Sequence, residues 1–162
     1  MNIFVLDWDV KKCAEYHNDK HVVKMILETA QLLCGVHHIV NNDNTDIPYK
    51  LSHKNHPCSI WARESLTNYL WLCELGLELC KEYTYRYGKR HKSLDVIEWC
   101  VVNKPNILDK DLTEVQVQDL RVEGRWFYAP TTSAAPRFAV TQFPFLQGMG
   151  RYVELCYSDE GL

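Results

Sequence analysis

Residues 20–35 read Lys-His-Val-Val-Lys-Met-Ile-Leu-Glu-Thr-Ala-Gln-Leu-Leu-Cys-Gly. Wound into a helix, this segment carries Val22, Val23, Met25, Ile26, Leu27, Ala30, Leu32, Leu33 and Cys34 around most of its circumference. Such a helix is stable only where protein surrounds it. The rest of the chain must therefore supply partners for a helix over residues 20–38, with Asp19 as its N-cap. A second long helix is expected from Pro57, suited to a first turn, to about Tyr87, where Gly88 stops it. Between the two, residues 41–57 are dense in turn formers and form a loop. Ser93 caps a shorter helix from Leu94 to about Val102, closed by Asn103 and Pro105. Residues 2–7 are a short apolar run, a strand or an extended arm, and helical character begins at about Val10.

The expected fold is mainly α, a compact helical domain with two long packed helices, a short N-terminal extended arm and an irregular C-terminal region. The chain of 162 residues reads as one domain, residues 1–162, with a helical core over about 1–103 and the irregular part over about 104–162. Thr113 to Gln118 alternates polar and apolar residues, and Pro130, Pro136 and Pro144 interrupt the C-terminal third of the chain. With 46% apolar and 24% charged residues the chain can bury a core, which excludes general disorder. Its apolar stretches fall far short of the roughly 20 residues that span a bilayer. Asp7 and Asp9 precede any signal-like segment, so a cytoplasmic protein is expected. Seven cysteines without a CxxC pair read as reduced structural thiols. No metal and no cofactor is implied.

The exceptions on the apolar helix are His21, Lys24, Glu28 and Gln31, spaced three and four apart and so aligned on one face. His17 lies one turn further back. The stripe is either the solvent face, with Glu28 paired to Lys24, or a site in which a carboxylate walled by apolar side chains works as a general acid or base. Glu28 is the candidate catalytic residue. In the second helix, Leu66, Leu70, Cys73, Leu77 and Cys80 form a seam, and extending it back one turn reaches Arg63. An arginine there either snorkels to water or answers an anion, with His53, His56 and Trp61 as companions. A third cluster runs from Tyr83 through Arg86, Tyr87, Lys89 and Arg90 to His91 and Lys92. Rings interleaved with cations at a helix C-terminus complement the helix dipole or hold phosphate and bases. His17, His21, Lys24, Gln31, His56, Trp61, Arg63, Tyr87, Lys89, His91 and Lys92 are thus the candidate ligand-binding set.

These residues also carry a family likeness. Asp19-x-His21, with Glu28 seven residues further on in a helix after a short arm, resembles the first helix of the phage endonuclease V type of pyrimidine-dimer DNA glycosylases. The Asn55-His56-Pro57 turn before a long helix ending in an aromatic and glycine segment is similar to the wider glycosylase group. The stretches Phe4-Val5-Leu6-Asp7 and Asp19-Lys20-His21-Val22-Val23-Lys24-Met25 also resemble small proteins of phages and large DNA viruses. The likeness covers roughly residues 1–100. It implies an N-terminal α-amine that attacks the sugar C1′ of the damaged nucleotide, assisted by Glu28, with His21 a neighbouring site residue. Leu27 and Gln31 stand where the family's duplex-gripping arginines would be, and the bulky Asn2 predicts that Met1 is retained.

Two functions fit these features. The net charge of −3 lacks the basic surplus usual for duplex binding. That balance favours a viral protein that binds, and sequesters or cleaves, a nucleotide-derived immune signal in a His/Lys/Arg/aromatic pocket. The alternative is a DNA N-glycosylase/AP lyase acting on pyrimidine-dimer DNA through a local patch. The partners implied are a nucleotide-derived small molecule or, under the alternative, DNA. No membrane is involved, and a homo-oligomer is compatible with either.

Overall fold

The computed structural model describes residues 2–41 and 46–112. Five helices succeed one another there: α1 (Val10–Tyr16), α2 (Asp19–Val40), α3 (Pro57–Glu64), α4 (Leu66–Tyr87) and α5 (Leu94–Val102). The mainly α expectation holds, and among the described residues the arm over residues 2–7 is extended without forming a sheet. The sequence features over residues 113–162 lie outside the described residues.

Helices α1 to α4 each start with a side chain that satisfies a free amide. Asp9 caps α1 by accepting from the Lys12 N–H, and Asn18 caps α2 by accepting from the His21 N–H. The cap of α2 is therefore Asn18, and Asp19 becomes a first-turn acid that complements the helix dipole. The single long second helix divides at Ser65, whose backbone is extended (φ −150°, ψ 156°). Its hydroxyl accepts from the Asn68 N–H and starts a new helix. Gly88 ends α4 in the left-handed conformation (φ 62°), where the absence of a Cβ removes the steric cost.

Helix α2 packs on α4, with α1 against α4, α3 against both and α5 closing the remaining side. The α4 face that is fully buried carries Tyr69, Leu72, Leu75 and Leu79, offset from the expected seam, so Leu70 and Leu77 are half-buried. Gly76 allows the close approach of the three helices: a Cβ there would lie 2.9 Å from Thr29 Cγ2 of α2 and 3.0 Å from Ile97 Cδ1 of α5. The same three helices are joined by a buried polar chain. The Tyr69 hydroxyl donates to the Cys100 carbonyl at 2.9 Å and takes a hydrogen bond from His37 Nε2 at 2.7 Å. The six described cysteines are all buried free thiols.

The loop before α3 is fastened to the helices, with His38 Nε2 donating to the Tyr49 carbonyl and the Tyr49 hydroxyl bonded to Ser93. After α5 the chain runs back to the start of α4, where the Leu66 N–H donates to the Leu108 carbonyl. No helix of the described residues is long and apolar enough to cross a membrane.

Candidate active site

The arm over residues 2–7 lies against α1 and α2, and its backbone is pinned by a thiol. Cys13 Sγ donates to the Phe4 carbonyl at 3.2 Å and receives the Leu6 N–H at 3.4 Å. Burial pushes this thiol up to about 12, so it stays protonated and able to donate. The pinned arm covers the polar stripe of α2. Phe4 stacks on the His21 ring with centroids 4.9 Å apart, and His17 sits beside both.

The arm ends at Glu28. Its Oε2 accepts the Asn2 N–H at 2.8 Å, and its Oε1 lies 3.3 Å from Lys24 Nζ, one helical turn back. Glu28 is 8% exposed and His21 4%, so these two positions of the stripe are buried, while Lys24, paired with Glu28 as the solvent-face reading expects, is exposed. The exposed surface of the same helix is partly apolar, with Val23 at 40% and Leu27 at 41%. The Lys24 side chain is 51% exposed. The arrangement is a screened carboxylate joined to an accessible amine, with two imidazoles further along the arm.

Both imidazoles are held neutral. His17 donates from Nδ1 to the Cys13 carbonyl at 2.7 Å, and burial pulls its pKa to about 4. His21 is pulled to about 3, chiefly by burial and then by the charges of His17 and Lys24. Burial also takes His37 to about 4. All three lie below the ordinary value of 6.5, so between those values the unfolded chain binds protons that the folded chain does not. Their contribution to stability is complete above about pH 6.5 and is lost as the pH falls through the window towards 4. Each imidazole contributes a slope of about 1.4 kcal/mol per pH unit within that window. Thermal melts between about pH 7.5 and 5 should show a falling transition temperature. His21→Phe, which preserves a ring against Phe4, should flatten that fall. A pH-independent melt in the wild type would contradict this.

The remaining candidates divide. Tyr87 and His91 adjoin the start of α2: the Tyr87 hydroxyl donates to the Asp19 carbonyl at 3.1 Å, and the His91 ring lies near the Val23 backbone. Lys89 and Lys92 are exposed at that end, as is Lys20 on α2 itself. Gln31 continues the stripe, half-buried, one turn past Leu27. The second-helix group is engaged in structure. His56 caps α3 by accepting the Cys58 N–H, and Trp61 is buried edge-on against Trp71. Arg63 donates to the Lys54 carbonyl at 2.8 Å, so it braces the preceding loop. The expectation that Arg63 extends a buried seam fails because the helix breaks at Ser65.

One functional neighbour is absent from the candidate set. Asn2 supplies its backbone nitrogen, a group that no side-chain pattern identifies, although the family likeness does point to the N-terminus. Met1 lies outside the described residues.

A family model described as pyrimidine dimer DNA glycosylase matches residues 1–95, the segment that holds the arm, the α2 stripe and the basic end of α4. No curated protein and no solved structure matches the chain.

Proposed function

This chain belongs to the pyrimidine dimer DNA glycosylase family, and from that membership we propose that it is a DNA N-glycosylase/AP lyase that acts on pyrimidine-dimer DNA. The observation that carries the reading is the environment of Glu28: a screened carboxylate that touches a chain nitrogen of the arm on one oxygen and an amine on the other. Such a group can take a proton from an attacking amine and stabilise positive charge developing on the sugar. An excised pyrimidine leaves a sugar C1′ that an amine can capture, and strand scission then proceeds by elimination.

The acidic balance does not oppose this reading, because the cations sit locally. Lys20 and Lys24 are exposed on α2 and Lys89 and Lys92 just beyond α4, whose end meets the start of α2 through the Tyr87–Asp19 bond. Phosphate contacts of this kind position a duplex without reading its sequence. The preference for a free nucleotide-derived ligand gains no support, since His56, Trp61 and Arg63 are occupied as cap, core and loop brace rather than converging on the stripe. Supercoiled plasmid irradiated with ultraviolet light should be relaxed by the protein, while unirradiated plasmid stays closed. Equal treatment of both plasmids would end the glycosylase reading.

A further inference from the structure

Three rings gather where α4 ends. Tyr83 and Tyr87, one turn apart on the helix, pack with centroids 4.9 Å apart at an interplanar angle of 39°. Gly88, in the left-handed conformation, turns the chain back, and the His91 ring meets Tyr83 edge-on, again at 4.9 Å. The two outer rings are also held from outside the cluster. The Tyr87 hydroxyl donates to the Asp19 carbonyl at 3.1 Å, and His91 Nδ1 accepts the Ser93 N–H at 3.1 Å. Burial lowers the His91 pKa, so at neutral pH this residue contributes a ring and not a charge. Tyr83 is half-buried, whereas Tyr87 is 39% exposed. The middle ring is covered and one outer ring is open to a ligand.

We propose that this cluster is a stacking platform for unpaired bases, through which the protein binds single-stranded nucleic acid whether or not the strand is damaged. The proposal goes beyond the glycosylase reading and does not depend on it. A base offers an apolar π-face of any sequence to an aromatic ring, and the stack contributes most where the ring is already fixed in place. In a duplex those faces are covered by neighbouring bases, so the rings gain only from a strand whose bases are unstacked.

Charge is supplied beside the rings. Lys89 and Lys92 are exposed and stand on either side of His91 in the chain, and the exposed Lys20 follows Asp19, which takes the Tyr87 hydroxyl. Asp19 and Glu82, which adjoin Lys20 and Tyr83 in the chain, are both paired with Arg86, at 2.9 and 2.5 Å. Arg90 is engaged with Asp95 and Glu98, so the phosphate contacts fall to the lysines. Contacts from Lys20, Lys89 and Lys92 give log affinity a slope of about −2 against log salt. That is a modest electrostatic term, and the rings supply the remainder.

Fluorescence anisotropy of the full chain with labelled oligothymidylate, beside a strand of equal length built from base-free tetrahydrofuran residues, tests this. Both strands offer the same phosphates, and only the first offers bases. The wild type should bind oligothymidylate more tightly than the base-free strand. Tyr87→Leu should weaken oligothymidylate binding at least about fivefold and leave the base-free strand unchanged. Tyr87→Phe keeps the ring without its hydroxyl and should bind within about twofold of wild type. The pair Lys89→Ala and Lys92→Ala should weaken both strands alike and flatten the salt dependence. Thermal melts of each variant confirm that the fold is retained. Equal wild-type affinity for the two strands, an unchanged Tyr87→Leu, or a Tyr87→Phe as weak as Tyr87→Leu overturns the platform. Neither strand contains a dimer, so such results leave the glycosylase reading in place, and a failure to cleave dimer DNA leaves the platform in place.

Discussion

Glu28→Gln should lower the cleavage of dimer-containing DNA by about 10²–10⁴-fold and leave affinity for the same DNA within a few-fold. The substitution retains the shape of the side chain, and its amide oxygen can still accept the Asn2 N–H that Oε2 now receives. What disappears is the negative charge beside Lys24 and the basic oxygen of the carboxylate. A loss confined to turnover is the signature of a group that acts in the transition state rather than in ground-state binding. Single-turnover cleavage and a gel-shift titration on one labelled duplex separate the two effects. Equal loss in both assays would make Glu28 a binding residue, as a sequestering protein requires. Unchanged cleavage would remove it from the chemistry.

Arg86→Met should destabilise the fold by about 3–5 kcal/mol, the largest effect expected of any polar residue outside the site. The Arg86 side chain is 5% exposed, and its guanidinium is almost fully used. Nη1 donates to Asp19 Oδ1 at 2.9 Å and to the His17 carbonyl at 2.8 Å, while Nη2 donates to the Glu15 carbonyl at 3.0 Å. Nε pairs with Glu82, one turn back on α4. The two carbonyls belong to the end of α1, where a helix leaves acceptors without intrahelical partners. Removing the arginine therefore strands two acceptors and two carboxylates together. Urea denaturation of wild type and variant gives the difference directly. The junction between α1 and α2 also positions His17 and His21, so cleavage should decline with stability. A loss under about 1 kcal/mol would show that water replaces the guanidinium without penalty.

Arg86 also marks a limit of what local sequence reveals. An arginine among tyrosines at a helix end reads as a phosphate-facing cation, because nothing local reveals that the α1–α2 turn folds onto it. The Glu82–Arg86 spacing of one turn is a signal, but such spacing is equally common on exposed faces. The helices themselves are more legible. The ends of α5 coincide with the expected Leu94 and Val102, and α2 extends the expected 20–38 by one residue before and two after. Helix α2 is bounded by local chemistry that the sequence displays, whereas Ser93, expected to cap α5, makes no capping bond and its hydroxyl is bonded to Tyr49 instead. The break at Ser65 is hidden because residues on both sides are apolar with helical spacing, and only the reversal of Ser65 into extended backbone separates them. Similarly, His21, Lys24 and Glu28 are visible as a stripe, but its burial depends on the arm over residues 2–7. The contact between Asn2 and Glu28 joins residues 26 positions apart, and periodicity carries no information on it.

A duplex of defined sequence carrying one cyclobutane pyrimidine dimer tests the functional reading most directly. The labelled damaged strand is incubated with the full chain, and the products are resolved beside those of the identical undamaged duplex. Scission at the dimer alone, lost with Glu28→Gln, is the expected result. An intact damaged strand under conditions in which the protein is folded and bound to the duplex would contradict it.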